Sequence, residues 1–432
     1  MARRRNASRN KAKDPNLTKI IIVLLVLVAI AYGVMRATDW LNREFVGGDV
    51  LARVPDLLGE AEQLAASGNA DRVKELLAPI LNRVDDPAVT PKALLLLARA
   101  ERAAGDVGAA REHLDRAIRE FAGSQYLPEA TLELALLEES EGHFDLATAH
   151  YRALAEKSPP GMRARALMGL ARDAERAGEQ VTARDLYRDA LNDAAWNSAP
   201  WNEALDGLGR LNVALIFSET ETPECDYYSI EPGDNLIDIG VKLNTTQGLL
   251  TRANGIVDAA RIQPGQRLKY TPKEFRIVIE RSTCRLFLLD RGGVFKRYRV
   301  GLGKPGHETT LGKYRIGNKQ QDPTWFPQGR PSVPPGDPEN ELGSRWMPLV
   351  PEAEELPTDL GIHGTVAPET VGHYVSRGCP RLTNEMVEEP TTWSCDRRRW
   401  RYSTCWTRRL WRRPPDTCAT HGCVFDMFRE RN

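Results

Sequence analysis

The sequence predicts a multidomain chain: a transmembrane helix, an α-helical solenoid, a small α+β module and a mostly-β domain, in that order. Three patterns predict it. An uninterrupted apolar run follows a basic leader, and four glycines recur at near-constant spacing between helical patterns. The last third then changes to short alternating segments punctuated by Gly and Pro. With 432 residues, there is room for about two to four domains. Apolar residues at 41% and charged residues at 27% let cores form and exclude wholesale disorder. Lys plus Arg equals Asp plus Glu at 59 each, but residues 1–19 hold seven basic side chains against one acid, and residues 390–432 hold ten arginines against four acids. The middle is therefore acidic, which excludes a uniformly basic nucleic-acid binder. Four of the seven cysteines (Cys395, Cys405, Cys418, Cys423) lie in that last stretch. Cys225, Cys284 and Cys379 alone are too few for a disulfide framework.

Residues 1–19 form the basic leader and residues 20–35, IIIVLLVLVAIAYGVM, the predicted anchor. As a helix the run is about 24 Å long, slightly short of the ~30 Å hydrocarbon core, and Tyr32 and Trp40 could anchor its outer end. The positive-inside rule keeps the leader cytoplasmic. The expectation is a single-pass inner-membrane protein, held in the membrane through 20–35, with its bulk extracytoplasmic (periplasmic). A cleaved signal peptide is the rival, since Ala29-Ile30-Ala31 offers a small-x-small site.

Gly68, Gly105, Gly142 and Gly178 are spaced 37, 37 and 36 apart within residues 49–218, each between two helical patterns. Counted from the glycine, the sixth position reads Val73, Ala110, Ala147, Ala183, and the tenth Leu77, Leu114, Tyr151, Tyr187. Small and large residues thus recur in fixed slots, as stacked helical hairpins require. The pattern resembles the tetratricopeptide (TPR) repeat, which implies a TPR-like solenoid that binds a protein partner or acts as a spacer. The alternative is an ordinary helical bundle.

Residues 227–272 read as strand, helix, helix, strand. Pro232-Gly233-Asp234 makes a turn, Asn235 can cap a first helix, a second helix runs near Thr246 to Ala253, and Pro264-Gly265-Gln266 precedes a closing strand. With Leu236, Asn254-Gly255-Ile256 and Leu268, these blocks resemble the LysM module. That resemblance implies a LysM-like module binding N-acetylglucosamine-containing glycan, chiefly peptidoglycan, and acting by local concentration rather than chemistry.

The chemistry falls in residues 275–389. Alternating segments begin with FRIVIERSTCRLFLLD, Gly292-Gly293 marks a hairpin, and a Pro-rich loop spans 322–357. Two segments stand out, GIHGT (361–365) and SRGCPRLTN (376–384), which place His363 and Cys379 16 residues apart, each flanked by glycine. Glycines let a backbone approach a substrate closely and present amides to an oxyanion. Further blocks, GLGKPGHETTLGKYRI, DPTWFP and ELGSRWM, precede them. Together they resemble the L,D-transpeptidase (YkuD) catalytic domain. The resemblance implies a peptidoglycan cross-linking transferase without metal or cofactor, acting on stem peptides at Cys379. Cys379 would be the nucleophile, His363 its base, and the Gly364 carbonyl would orient the imidazole. Gly378 and Cys379 would offer oxyanion amides, with Ser376, Arg377, Arg381 and Asn384 supporting the site. Three positions depart from the pattern: Arg377 stands for a second histidine, Pro380 for an apolar residue, and Thr310 for a proline.

Residues 390–432 show neither helical nor strand periodicity. The family would close here with a short helix and a last strand. A reading frame shifted near Glu389 accounts for the tail, which is expected to be largely disordered or irregular. Thr420-His421-Gly422-Cys423 imitates the signature, but Thr407 stands where the base should be. The alternatives to a transpeptidase are an L,D-carboxypeptidase, with water as acceptor, and a non-catalytic peptidoglycan-binding scaffold inactivated by the tail.

Overall fold

The computed structural model describes residues 47–83, 86–271, 275–290, 292–393 and 401–403. The chain divides into two compact units, Met1–His150 and Tyr151–Asn432. In the first, α1 (Gly47–Ala65), α2 (Ala70–Arg83), α3 (Thr90–Ala104), α4 (Val107–Glu120) and α5 (Leu127–Ser140) follow one another, and α6 (Phe144–Lys157) runs on into the second. Gly68, Gly105, Gly142 and Gly178 all hold positive φ, from 70° to 87°. This is the left-handed conformation that ends a helix and that side chains resist. Asp106 then caps α4 by accepting from the Ala109 amide at 3.1 Å. Val73, Leu77, Ala110 and Leu114 are fully buried, so the recurring slots are core positions.

The second unit continues with α7 (Pro160–Arg176), α8 (Gln180–Asp193) and α9 (Ala199–Ile216). The large slot has a specific neighbour here. A Cβ on Gly169 would lie 2.5 Å from the Tyr151 ring, and one on Gly207 2.7 Å from the Tyr187 ring. Each tyrosine needs a glycine on the next helix. α9 also packs against a sheet: its Leu205 and Leu208 share a core with Phe287, Leu289 and Val294, and Asn212 Nδ2 donates to the Phe295 carbonyl at 2.9 Å.

The small module is β1 (Asp226–Ser229), α10 (Leu236–Lys242), α11 (Gln247–Ala253) and β2 (Arg267–Tyr270), with β1 and β2 antiparallel. Asn235 caps α10 and Thr246 caps α11, and Ile230, Leu236, Ile239, Leu250 and Leu268 fill its core. It is not a free bead. Lys269 is only 3% exposed, and its ammonium donates to the carbonyls of Leu215, Ser218 and Thr220 at 3.1, 2.8 and 2.5 Å. That places a cation at the electronegative end of α9. Leu249 meanwhile belongs to the core of the β domain, with Ile216.

The β domain comprises β3 (Arg276–Glu280), β4 (Arg285–Asp290), β5 (Gly293–Arg299), β6 (Leu302–Gly303), β7 (Tyr314–Ile316), β8 (Gln320–Gln321), β9 (Arg345–Pro351), β10 (Gly361–His363), β11 (Tyr374–Ser376), α12 (Asn384–Trp393) and β12 (Arg401–Ser403). Its sheet runs β10-β9-β7-β12-β3-β4-β5, β8 pairs β9, and β6 and β11 form a parallel pair apart. Glu389 anchors α12 by accepting from Lys296 Nζ at 2.5 Å and from the Tyr298 hydroxyl at 2.9 Å.

In the tail, expected to be largely disordered or irregular, two short regular pieces are described: α12 reaches Trp393, and Arg401–Ser403 pairs parallel with β3 and antiparallel with β7. A strand seated between two others is stabilised by ladders on both sides whatever its own periodicity. The remainder of 390–432, Cys423 included, lies outside the described residues. The transmembrane helix, and with it the inner-membrane placement, is not supported: among the described residues no helix is long and apolar enough to cross a membrane. The two longest are α1 and α9, at 19 and 18 residues. They carry Asp56, Glu60 and Glu62, and Glu203, Asp206 and Arg210, groups costly in hydrocarbon. The run 20–35 lies outside the described residues.

Because Leu249 is buried in the β-domain core, Leu249→Ala is expected to cost about 2–5 kcal/mol. A thermal melt of the full chain should show the β-domain transition lowered. An unchanged transition would show that the module is energetically separate.

Candidate active site

Strand β10 is held on both edges. On one side it pairs antiparallel with β9, His363 facing Trp346. On the other, the His363 amide donates to the Pro380 carbonyl at 3.1 Å and the Leu382 amide donates to the His363 carbonyl at 2.9 Å, so 380–382 lies parallel to β10. Arg381 in turn exchanges two 2.8 Å backbone bonds with Gly301. Cys379 immediately precedes this clamped segment. The segment paired with His363 therefore starts one residue after Cys379.

His363 is 3% exposed. Its Nδ1–H donates to the Gly364 carbonyl at 2.6 Å, which leaves Nε2 as the lone-pair nitrogen. Burial, reinforced by the Arg381 charge, lowers its pKa from 6.5 to about 4, against the opposing pull of the Gly364 carbonyl and the Glu341 main chain. The imidazole is neutral at pH 7. The Cys379 thiol is half-buried and hydrogen-bonds the Asp359 carbonyl at 4.0 Å rather than the imidazole. Burial pushes its pKa up, as does Asp359, while the Gly361 amide and Arg381 pull it down. At rest the site holds a neutral thiol and a neutral imidazole.

The remaining candidates fall around this pair. A Cβ on Gly364 would lie 2.3 Å from Asn384 Oδ1. That oxygen accepts the amides of Ser344 at 3.0 Å and Thr365 at 3.2 Å, so Asn384, at the start of α12, staples two loops. Ser376 is fully buried, and its hydroxyl accepts the Gly378 amide at 3.2 Å. The Gly378 amide is thus occupied at rest rather than open. Gly378 has φ 121°, a conformation suited to glycine. Arg377 is exposed. Pro380 costs no bond, since only its carbonyl is used, by His363.

Three residues had no assigned role in the sequence. The Asp359 carbonyl takes the thiol. The Trp346 ring lies 5.8 Å from that of His363, tilted 36°, and occupies the space a Cβ on Gly361 would need, 2.3 Å away. Glu341 pairs with Arg381 at 2.7 Å. Glu341 and Trp346 both lie in ELGSRWM, so the block was visible though the roles were not.

Two family models match: the L,D-transpeptidase catalytic domain (YkuD) over residues 274–393 and the LysM domain over residues 228–271. A Bacillus licheniformis protein named L,D-transpeptidase YkuD is 29% identical over 170 residues, 38% of this chain and 89% of that one. Its Bacillus subtilis namesake is 30% identical over 169 residues, with the same coverage of each chain. Among solved structures, an L,D-transpeptidase from Mycobacterium smegmatis aligns at 14% identity and TM-score 0.24, over 33% of this chain and 64% of that chain, under two thirds of its length. The catalytic domain of the E. faecium L,D-transpeptidase aligns at 20% identity and TM-score 0.24, over 31% of this chain and 98% of that chain.

The buried neutral histidine makes a pH prediction. Its folded pKa is about 4 against an ordinary 6.5, so as pH falls the unfolded chain takes up the proton first. The contribution is complete above about 6.5 and is lost between 6.5 and 4, a span worth roughly 3 kcal/mol. Urea unfolding across that range should show stability declining with acid, and His363→Gln should remove that part of the slope. An identical slope in the variant would show that His363 is not buried as a neutral ring.

Proposed function

This chain belongs to the L,D-transpeptidase (YkuD) family, and we propose that it cross-links peptidoglycan stem peptides through a thioester on Cys379. The observation that carries this reading is the backbone clamp that sets a buried, Nδ1-anchored imidazole beside the cysteine segment.

The sulfur of Cys379 attacks the carbonyl joining an L-configured centre to the terminal D-residue of a donor stem. His363 Nε2 takes the thiol proton as the carbon–sulfur bond forms. With both groups neutral at rest, substrate must bring thiol and ring together, so proton transfer accompanies attack. The tetrahedral oxyanion is met by the Cys379 amide and by the Gly378 amide, which exchanges its neutral bond to Ser376 for a stronger charge-assisted one. Collapse breaks the peptide bond; His363 returns the proton to the leaving amine, and a D-amino acid departs. An amine from a second stem then attacks the thioester, gives its proton to His363, and restores the thiol. The LysM-like module holds the glycan and raises the local concentration of stems. Its fixed seat on α9 and the β domain means glycan and active site keep one offset.

Incubating the full chain with tetrapeptide muropeptides and reading products by mass spectrometry tests this. Cross-linked dimers, released D-amino acid and a carbapenem adduct on Cys379 are expected. All should vanish in Cys379→Ala and persist in Cys423→Ala. Tripeptide as sole product would make the enzyme an L,D-carboxypeptidase, and neither product nor adduct would leave a binding scaffold.

A further inference from the structure

We propose that Glu341 is a positioning residue of this site, holding the Arg381 guanidinium beside His363 and Cys379 and balancing part of its charge. The inference rests on the reading of Cys379 as nucleophile.

Arg381 cannot move away by its backbone, which is locked to Gly301 by two bonds and lies beside His363. Its side chain is 13% exposed, and its Nε is buried with no hydrogen-bond partner. The contact that compensates the guanidinium is Glu341 Oε2 at 2.7 Å. A buried cation stripped of such a partner is strongly destabilised. Glu341 is itself 45% exposed, so its carboxylate is placed for Arg381 rather than for its own burial. Glu341 also reaches the site a second way, because its main chain favours the protonated form of His363. One residue of the long loop before β9 thus pairs with the cation and acts electrostatically on the imidazole.

The charges acting on the thiol then come from named places. Arg381 favours the thiolate and Asp359 opposes it. Glu341 screens Arg381, and His363 is neutral. Replacing Glu341 by its neutral isostere keeps an acceptor for the guanidinium while removing the opposing charge, so Arg381 acts at full strength on the sulfur.

The test is the pH dependence of Cys379 alkylation by iodoacetamide in the full chain, read by mass spectrometry of the Cys379 peptide. In Glu341→Gln the alkylation midpoint should fall by about half a unit, giving about threefold more thiolate at pH 7. Glu341→Asp, which keeps the charge, should restore the native midpoint. In an Arg381→Gln background, adding Glu341→Gln should leave the midpoint almost unmoved, because the effect runs through Arg381. An unchanged midpoint in Glu341→Gln, or an equal fall in both backgrounds, would overturn the proposal. Alkylation needs no peptidoglycan, so a chain that shows these shifts but makes no muropeptide product would refute the function and spare the electrostatics.

Discussion

A pair of backbone hydrogen bonds, His363 N–H to Pro380 and Leu382 N–H to the His363 carbonyl, is the constraint from which the site is built. Buried peptide groups must find partners, and here the partners of β10 on its open edge are supplied by the segment that follows the cysteine. One register satisfies them. That register is passed on to Gly301 through Arg381, and a Cβ on Gly301 would lie 2.9 Å from the Thr370 carbonyl. The same close approach recurs at Gly343 and Gly364, where a Cβ would meet Asn384 Oδ1 at 2.2 and 2.3 Å. Glycine at these positions lets the Thr370 carbonyl and the Asn384 side chain come this close. The proposed chemistry then needs only two side chains, because the geometry resides in the main chain.

What the sequence made legible follows from how local each signal is. The helical slots repeat every 36 or 37 residues, and each is decided by neighbouring helices. Val73, Leu77, Ala110 and Leu114 could therefore be assigned to the core from spacing alone. The strand–helix–helix–strand module was readable for the same reason, as Asn235 and Thr246 cap helices through contacts two or three residues away. Sheet order was not. β12 lies between β7 and β3, more than 80 residues away from either, and no periodicity in three residues announces such a seat. Nor could the sequence show that Leu249 faces a second core, or that Lys269 reaches the end of α9. Both depend on how finished elements dock.

The same distinction separates the site residues. His363 and Cys379 were visible because glycines flank them and other blocks surround them. Glu341 acts on Arg381 from 40 positions away, and its exposed carboxylate looks in sequence like any surface acid. The N-terminal apolar run is a strong local signal for an anchor, but it lies outside the described residues, among which no helix is long and apolar enough to cross a membrane.

Electrostatics sets the order of events at this site. Burial removes charge from both the imidazole and the thiol, so neither a standing thiolate nor a standing imidazolium is stored in the resting enzyme. In the proposed mechanism the proton would remain on sulfur until substrate arrives, and His363 could act as base through Nε2 because its Nδ1 is already committed to Gly364. An NMR titration of the full chain with ¹³C- and ¹⁵N-labelled histidine tests this most directly. The His363 ring should be the Nδ1–H tautomer at pH 7 and titrate near 4. A ring protonated on both nitrogens at neutral pH, paired with an ionised Cys379, would contradict it.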